Sequence, residues 1–517
     1  MERESRIKKS FLNARVNLIA YTVSLFIAFF SRQIFLSRLG AEFMGLSETL
    51  NSILGFLNLA ELGIGTAIGY VLYKPIYDKD HDKINEIISV LGVLYRWVGY
   101  FILFAGVALS FFLPLFFKDT SFDASTLYIG YYCLLSTSLI GYFINYRTCI
   151  LAADQRNYVV TGYFQIVNVC RTLIQMLAAM YVASFALFFI IQFFFGIVNV
   201  IILNVKVNQL YPWLKTDVRN GRALLKKYPE IFKYISQIFI HKIGSLVQFQ
   251  LTPIFIYKYV SLASVALYAN YTTVTSRVQQ LISTVLDSTG SSIGNMVAEG
   301  DNNKSYNTFR QLFLFRSLCS GIAATCCGYL VAPFVSVWLG PQYVLDWKIS
   351  VIVALLMYSR MVRLVDPFLY ASGLFSDVWA PFAESAICIA GAIVGGSHWG
   401  MSGVMLGQLL SQLLIVHIWK PYFLFSRGFH RSVFAYWELV ARTVVLLAIS
   451  GVLAWLLTSL LYTYTELAEG WSNWILGALV FSVSLSIINC LLIWLASKEI
   501  RILFKRISFA MFSRKNK

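Results

Sequence analysis

Long apolar runs recur along the whole chain and constrain its fold more than any other feature. Residues 101–117 and 173–205 contain no charged side chain, and a helix needs about 20 apolar residues to cross a bilayer. Only 13% of the 517 residues are charged, whereas a soluble domain carries about 25%. Backbone groups in lipid must be satisfied by helices or by a closed barrel. Continuous runs favour helices, because barrel strands alternate. The sequence therefore predicts an all-α polytopic membrane protein.

About fourteen candidate spans follow one another between residues 16 and 496. The second, 43–70, and the eighth, 264–298, are longer than a bilayer requires, so we expect them to bend or to extend beyond it. Lys and Arg collect on the cytoplasmic side of membrane proteins. The heaviest basic clusters are Met1–Arg15, Lys206–Lys233 and Lys498–Lys517. Both termini are therefore predicted to be cytoplasmic. This topology accounts for the formal charge of +17, and no nucleic-acid partner is predicted.

The chain contains an internal repeat. A shift of 221 residues aligns Asp80 with Asp301 and Lys83 with Lys304. The shift covers six candidate spans, an even number, so the two copies share one orientation and form a parallel repeat about the membrane normal. We therefore predict an N-terminal lobe of six spans, a basic cytoplasmic linker, a C-terminal lobe of six spans, and two final spans with a basic tail, at 1–205, 206–233, 234–432 and 433–517.

The segment between the second and third spans is polar. Lys74–Glu86 alternates aspartates with lysines before the apolar positions begin, a pattern that predicts a short amphipathic helix on the membrane surface. The spacing of Asp78, Asp80 and Asp82 resembles the start of a calcium-binding loop, but the glycine and the final glutamate of such a loop are missing. No metal site is predicted.

Charged residues inside the spans are the candidate functional residues, because a charge at mid-bilayer costs about 3 kcal/mol and usually faces a protein interior or a water-filled cavity. Arginine forks bind phosphate in a bidentate manner. The arginines therefore predict a cationic cavity for an anionic substrate. Internal ion pairing is the alternative, and Arg32 is also close enough to the outside end to reach the headgroups. The candidate substrate-binding residues are Arg32, Arg171, Arg277, Arg360 and Arg363.

Three acids are candidates for coupling transport to an ion gradient. Glu61 and Asp287 lie toward the inside half of spans two and eight, and Asp366 lies three residues after Arg363. A buried carboxylate can take up a proton or hold sodium, and no other cofactor is expected. The alternative is a salt bridge to an arginine, for which Arg363 and Asp366 have the helical spacing. The sequence leaves both interpretations open.

The sequence shows no catalytic motif. It lacks a phosphate-binding glycine loop, a Gly-x-Ser-x-Gly elbow and a His-Glu-x-x-His zinc helix. It also lacks a polar segment long enough to form a catalytic domain. We therefore expect transport and not enzymatic catalysis.

Several short blocks resemble a known family. In chain order they are Leu39–Leu46 (LGAEFMGL), Leu59–Gly65 (LAELGIG), Tyr73–Pro75 (YKP), Leu267–Tyr271 (LYANY), Trp338–Tyr343 (WLGPQY) and Trp419–Pro421 (WKP). They resemble Wzx-type polysaccharide and O-antigen flippases of the multidrug/oligosaccharidyl-lipid/polysaccharide (MOP) exporter superfamily. The resemblance covers nearly the whole chain. It implies two six-helix lobes that face a central cavity, with two further C-terminal helices.

The resemblance also implies a function. Such a protein would move an undecaprenyl-diphosphate-linked oligosaccharide across the bacterial cytoplasmic (inner) membrane by alternating access, driven by a sodium or proton gradient. It would serve the synthesis of a surface polysaccharide such as a capsule or lipopolysaccharide. Its partners would be the bilayer, a polysaccharide polymerase and glycosyltransferases. The carrier's diphosphate suits the predicted cationic cavity.

Three other functions stay open at this point. A flippase for a peptidoglycan precursor would share the diphosphate carrier. A multidrug or cation antiporter of the same superfamily would need an acidic cavity, which the arginines disfavour. A non-transporting scaffold of a polysaccharide synthesis complex would move no substrate.

Overall fold

A computed structural model describes residues 6–61, 64–219, 221–286, 293, 296–297, 301–374, 377–496 and 501. These residues form helices joined by short turns, and no strand occurs among them. Eight of their stretches are long and apolar enough to cross a membrane, and three of the eight contain more than one helix. Where the chain is described, the predicted spans are largely helical, but the second (43–70) and the tenth (347–371) are each divided by a turn, and the end of the eighth (264–298) lies outside the described residues. The chain is therefore an all-α, multi-pass membrane protein.

Its contacts divide the chain into two compact units, 1–266 and 267–517. The first unit contains eleven labelled helices and the start of the twelfth. They are α1 (6–39), α2 (41–57), α3 (Ile64–Asp78), α4 (His81–Ser110), α5 (Leu113–Phe116), α6 (Ala124–Ile144), α7 (Cys149–Ala153), α8 (Asn157–Tyr181), α9 (Phe185–Leu210), α10 (Gly221–Leu224), α11 (Pro229–Tyr259) and α12 (Leu262–Leu286).

The second unit continues from α12. Its further helices are α13 (Asn302–Leu339), α14 (Trp347–Met361), α15 (Val365–Ala371), α16 (380–399), α17 (401–411), α18 (Phe434–Ser459) and α19 (Trp471–Ala496). After α17 the helix continues without a break through Gln412–Trp419, Lys420–Phe423 and Leu424–Gly428. Short 3₁₀ turns occupy Asn58–Glu61, Asn145–Thr148, Pro341–Tyr343 and Glu466–Ala468.

Two glycines turn the chain between antiparallel helices. Gly40 joins α1 to α2 with φ 85°, and Gly400 joins α16 to α17 with φ 55°. Glycine adopts positive φ without the steric cost that a Cβ atom brings. The α16–α17 hairpin is also closely packed, because the backbone at Gly395 contacts the backbone at Gly403. Small residues allow such close approach in membrane helices.

The predicted second span is interrupted. Its first part, α2, ends at Leu57, and the 3₁₀ turn Asn58–Glu61 follows before α3 begins at Ile64. The long second span therefore bends, and the bend carries Glu61.

The prediction of a surface helix at Lys74–Glu86 is wrong. Its first residues end α3 at Asp78, and its last residues begin α4 at His81. Lys79 has φ 58°, which stops α3, and the Asp80 side chain caps α4. The alternating charges mark a helix boundary, because a short acidic side chain satisfies the free backbone N–H groups of a first helical turn.

The two copies of the repeat begin α4 and α13 in the same way. The Asp80 carboxylate accepts a hydrogen bond from the backbone N–H of Lys83 at 3.0 Å. Asp301 accepts the corresponding bond from Lys304 at 2.9 Å. Two identical caps 221 residues apart give the predicted repeat a physical basis at these positions.

Candidate functional site

Glu61 is held by two tyrosine hydroxyls inside the first unit. Tyr95 of α4 donates to its Oε1 at 2.8 Å, and Tyr142 of α6 donates to its Oε2 at 2.7 Å. The two rings meet edge to face with their centroids 5.7 Å apart. Among the described residues, Glu61 forms no ion pair. Within the described part of the chain, its side-chain donors are therefore two neutral hydroxyls.

The same bend carries a second polar contact. The Asn58 side-chain carbonyl accepts a hydrogen bond from the Ser138 hydroxyl at 3.1 Å. Asn58 and Glu61 lie in one 3₁₀ turn, and Ser138 and Tyr142 lie one helical turn apart on α6. The bend between α2 and α3 is thus tied to α6 at two points, which fixes the position of the carboxylate.

Arg171 lies in the middle of α8 and is partly buried. Its guanidinium donates to the side-chain carbonyl of Asn168, one turn earlier. Its Nε is buried and donates no hydrogen bond within the described part of the chain. A buried N–H without an acceptor costs free energy, so this arginine retains capacity to bind an acceptor that enters from outside the fold.

Arg32 is buried on α1, with 8% of its surface exposed. One nitrogen lies 3.3 Å from Glu48 Oε1, and another donates to the Ala266 carbonyl at 3.0 Å. The predicted alternative of internal pairing therefore occurs at this residue.

The second unit contains two ion pairs close to one end of α14 and α15. Arg363 donates to Glu384 Oε1 at 3.0 Å, and Lys420 donates to Asp366 Oδ1 at 2.5 Å. Both pairs connect different helices. Arg363 lies in the turn between Met361 and Val365, so it does not share a continuous helix face with Asp366. The helical spacing alone does not identify these partners.

Arg360 and Arg277 complete the set of predicted arginines. Arg360 ends α14 and interacts electrostatically with Tyr268, Arg363 and Cys388. Arg277 is partly buried on α12. The structure thus brings Arg360, Arg363 and Asp366 together in the second unit, where Glu384 pairs with Arg363 and Lys420 pairs with Asp366.

Other predicted positions lie elsewhere. Arg32, Glu61 and Arg171 belong to the first unit, and Asp287 lies outside the described residues.

Sequence reasoning missed several residues of these clusters. Nothing in the sequence marks Tyr95 and Tyr142 as partners of Glu61, because thirty tyrosines are spread along the chain. Lys420 lies in the Trp-Lys-Pro block, which carries the family resemblance and does not mark the lysine as a partner of Asp366. A lysine directly after an apolar run, opposite an intramembrane acid, is the signal that could have identified it.

The fold matches solved membrane transporters. The lipid II flippase MurJ, in its inward closed conformation, superposes with a TM-score of 0.59 at 14% identity, over 93% of this chain and 100% of MurJ. An inward-facing multidrug resistance MATE family transporter of the MOP superfamily gives 0.57 at 14% identity, over 80% of this chain and 95% of that one.

A third structure has the same fold. It is a MOP superfamily transporter from Pyrococcus furiosus, described as having a binding pocket of reversed polarity, and it gives 0.52 at 14% identity over 83% of this chain and all of that one. No protein-family model and no curated protein sequence matches the chain. The chain therefore has the MOP transporter fold.

Proposed function

We propose that this protein is a flippase of the bacterial cytoplasmic membrane. Its substrate is an oligosaccharide linked to undecaprenyl diphosphate, which it delivers to the outer leaflet for surface polysaccharide synthesis. Both termini lie in the cytoplasm, and a polymerase and glycosyltransferases act beside it. The MOP transporter fold supports the class of activity, and the basic intramembrane residues support an anionic substrate.

The observation that carries this proposal is the hydrogen bonding of Arg171. It lies near the middle of α8, and its guanidinium donates a hydrogen bond to the neutral Asn168 side chain. Its Nε is buried and has no acceptor in the described part of the chain. A guanidinium in lipid is costly unless something pairs with it. A diphosphate supplies several charged acceptor oxygens and suits the fork of an arginine.

Arg277 and Arg360 are the further substrate residues of the proposal. Both lie on helices of the second unit. A multidrug or cation antiporter would gain nothing from them, because they repel cationic cargo. The arginines therefore favour the flippase over the antiporter.

Glu61 is the ion-coupling residue of the proposal. Its two donors are neutral tyrosines, so a proton or a sodium ion that binds there changes the net charge of the bend between α2 and α3. Asp366 is the weaker candidate, because Lys420 already cancels its charge at 2.5 Å.

The proposal is tested by flipping assays in liposomes with purified protein. We expect Arg171→Ala and Arg277→Ala each to slow the transfer of an undecaprenyl-diphosphate oligosaccharide by at least about tenfold, since a charge-assisted hydrogen bond is worth about 1.5–3 kcal/mol. Arg96→Ala is the matched control, because Arg96 is an exposed arginine on α4. Normal transfer by both test variants would contradict the proposal.

The same assay separates the other functions. A peptidoglycan-precursor flippase is the second candidate, favoured by the superposition with MurJ. It would transfer lipid II and leave the polysaccharide carrier in place. Transfer of a cationic dye alone would indicate an antiporter, and a scaffold would transfer none of the three.

A further inference from the structure

Helix α8 has one polar face, and that face is turned into the first unit. Polar residues recur along α8 every three or four positions, which places them on one side of the helix: Thr161, Gln165, Asn168, Thr172 and Gln175. Ile166, Leu173 and Leu177 lie on the other side and are exposed. Thr172 and Gln175 are buried, so the polar face is turned away from the lipid.

Helix α9 runs back along α8, and one hydrogen bond fixes their register. Close to the turn between the two helices, the Gln175 side chain donates to the Phe188 carbonyl at 3.0 Å. Gln165 lies ten residues before Gln175, and Asn199 lies eleven residues after Phe188. At a rise of about 1.5 Å per residue, Gln165 and Asn199 are therefore at nearly the same height. Eleven residues make about three turns, so Asn199 also lies on the face of α9 that carries Phe188.

These two amides each have a buried atom without a partner in the described part of the chain. For Gln165 the atom is the donor Nε2, and for Asn199 it is the acceptor Oδ1. A buried donor or acceptor without a partner costs free energy. The two atoms are complementary and yet do not bond to each other, so the gap between them is wider than a hydrogen bond. Both side chains are only partly buried as a whole, so each amide can turn toward a ligand without unpacking its helix.

We propose that Gln165 and Asn199 bind the acetamido group of the sugar that is joined to the carrier's diphosphate. The inference rests on the proposed function, which places the diphosphate at Arg171. Arg171 is six residues from Gln165, about 9 Å along the helix, which leaves room for one sugar ring between the diphosphate and the two amides.

The chemistry of an acetamido group matches the two unpaired atoms. Its carbonyl oxygen accepts from Gln165 Nε2, and its N–H donates to Asn199 Oδ1. In a trans amide the oxygen and the N–H point to opposite sides, so one group bridges two helices. A metal cation does not fit, because Gln165 presents a donor. The pair thus selects carriers whose first sugar bears an acetamido group.

The acetamido site is tested with two carriers that differ at one position of the first sugar. They are undecaprenyl diphosphate linked to N-acetylglucosamine and undecaprenyl diphosphate linked to glucose. In liposomes with the purified protein, we expect the acetamido carrier to be transferred about tenfold faster or more, because a ligand that leaves buried polar groups unpaired is strongly rejected. Gln165→Leu and Asn199→Leu should each bring the ratio of the two rates close to one. Gln209→Leu is the matched control, since Gln209 is an exposed amide on α9, and the parent ratio should persist.

Thermal unfolding without a carrier separates binding from a structural role. Neither amide atom has a partner to lose, so both leucine variants should unfold at the parent's temperature or above it. A lower unfolding temperature in both variants would show that the amides hold the helices together, and it overturns the acetamido site. If Gln165→Leu is not recovered as folded protein, Gln165→Glu decides by the same ratio, because it replaces the donor by an acceptor.

Protection by the two carriers against unfolding lets the two proposals fail separately. We expect the acetamido carrier to raise the unfolding temperature of the parent more than the glucose carrier does. A parent that is protected in this way but transfers neither carrier overturns the proposed function and supports the acetamido site. A parent that transfers both carriers at one rate and is protected equally by both overturns the acetamido site alone.

Discussion

Two carboxylates of this protein, the partly buried Glu61 and the buried Glu384, are stabilised in different ways. In the first unit, Glu61 accepts hydrogen bonds from Tyr95 and Tyr142. In the second unit, Glu384 is paired with Arg363, and 5% of its side chain is exposed. Glu384 thus accepts from a cationic guanidinium, whereas the two donors to Glu61 are neutral hydroxyls. Ionisable groups inside a membrane protein are often functional when no base pairs with them, so the two carboxylates are expected to respond differently to substitution.

The largest effect on stability should come from breaking the pair in the second unit. Arg363→Ala removes the guanidinium that pairs with the buried Glu384, and we expect a loss of about 3–5 kcal/mol, because breaking a buried ion pair at one partner is strongly destabilising. Thermal unfolding of the purified protein in detergent would measure it. A second substitution, Glu384→Gln, should restore most of the stability. The exposed Arg96→Ala should change it by no more than about 0.5 kcal/mol. Equal losses in Arg363→Ala and Arg96→Ala would show that the pair contributes nothing.

At Glu61 we expect a small effect on stability and a large effect on the ion dependence of transport. Glu61→Gln retains one acceptor but places an amide opposite the second tyrosine, so the expected loss of stability is only about 1 kcal/mol. Transport should nevertheless lose its dependence on sodium or on pH, because the ionisable group is gone. The measurement is the transfer rate in liposomes under imposed sodium and proton gradients.

Glu438 supplies the control for that experiment, since it is an exposed acid on α18. Glu438→Gln should leave the ion response intact. If Glu61→Gln responds to both gradients as the parent protein does, the difference in role between the two carboxylates disappears.

The smallest effects should come from the two helix caps, which compare the copies of the repeat. Asp80→Ala and Asp301→Ala should each cost about 1 kcal/mol, the usual value of an N-cap, and the two losses should agree. Asp78→Ala is the control, because an acid at the C-terminal end of α3 opposes the helix dipole and its removal should not destabilise. A large loss of stability from one of these substitutions and no loss from the other would show that the two positions are not equivalent.

The helices could be predicted from the sequence because their causes are local, and the repeat marked the two aspartates that the structure shows to be helix caps. Lipid forces each span to satisfy its own backbone, so apolar length indicates a helix wherever it occurs. The Asp80 and Asp301 caps each involve a residue three positions further along the chain, which explains why a shift of the sequence finds both. The same local reasoning failed at Lys74–Glu86, where the charge pattern of a helix boundary resembles that of a surface helix.

The partners of the charged residues could not be predicted in this way. Arg363 and Asp366 have the spacing of a helical pair, yet their partners are Glu384 and Lys420, 21 and 54 residues away respectively. Arg363 lies in the turn between the helix that ends at Met361 and the helix that begins at Val365, so the helical spacing to Asp366 does not apply. Glu61 similarly finds hydroxyls 34 and 81 residues further on, and tyrosines are too common in this chain for any one of them to stand out.

The sequence by itself determined that this chain crosses a membrane many times, where its helices lie, and that ionisable groups are buried among them. Those properties depend on apolar length and on residues within a turn of one another. Only the tertiary structure decided which buried charges are cancelled and which remain, because that depends on the packing of helices far apart in the chain. Arg32, Glu61 and Arg363 are equivalent in the sequence as intramembrane charges, and only the structure shows their different partners: a carboxylate and a backbone carbonyl for Arg32, two tyrosine hydroxyls for Glu61, and Glu384 for Arg363.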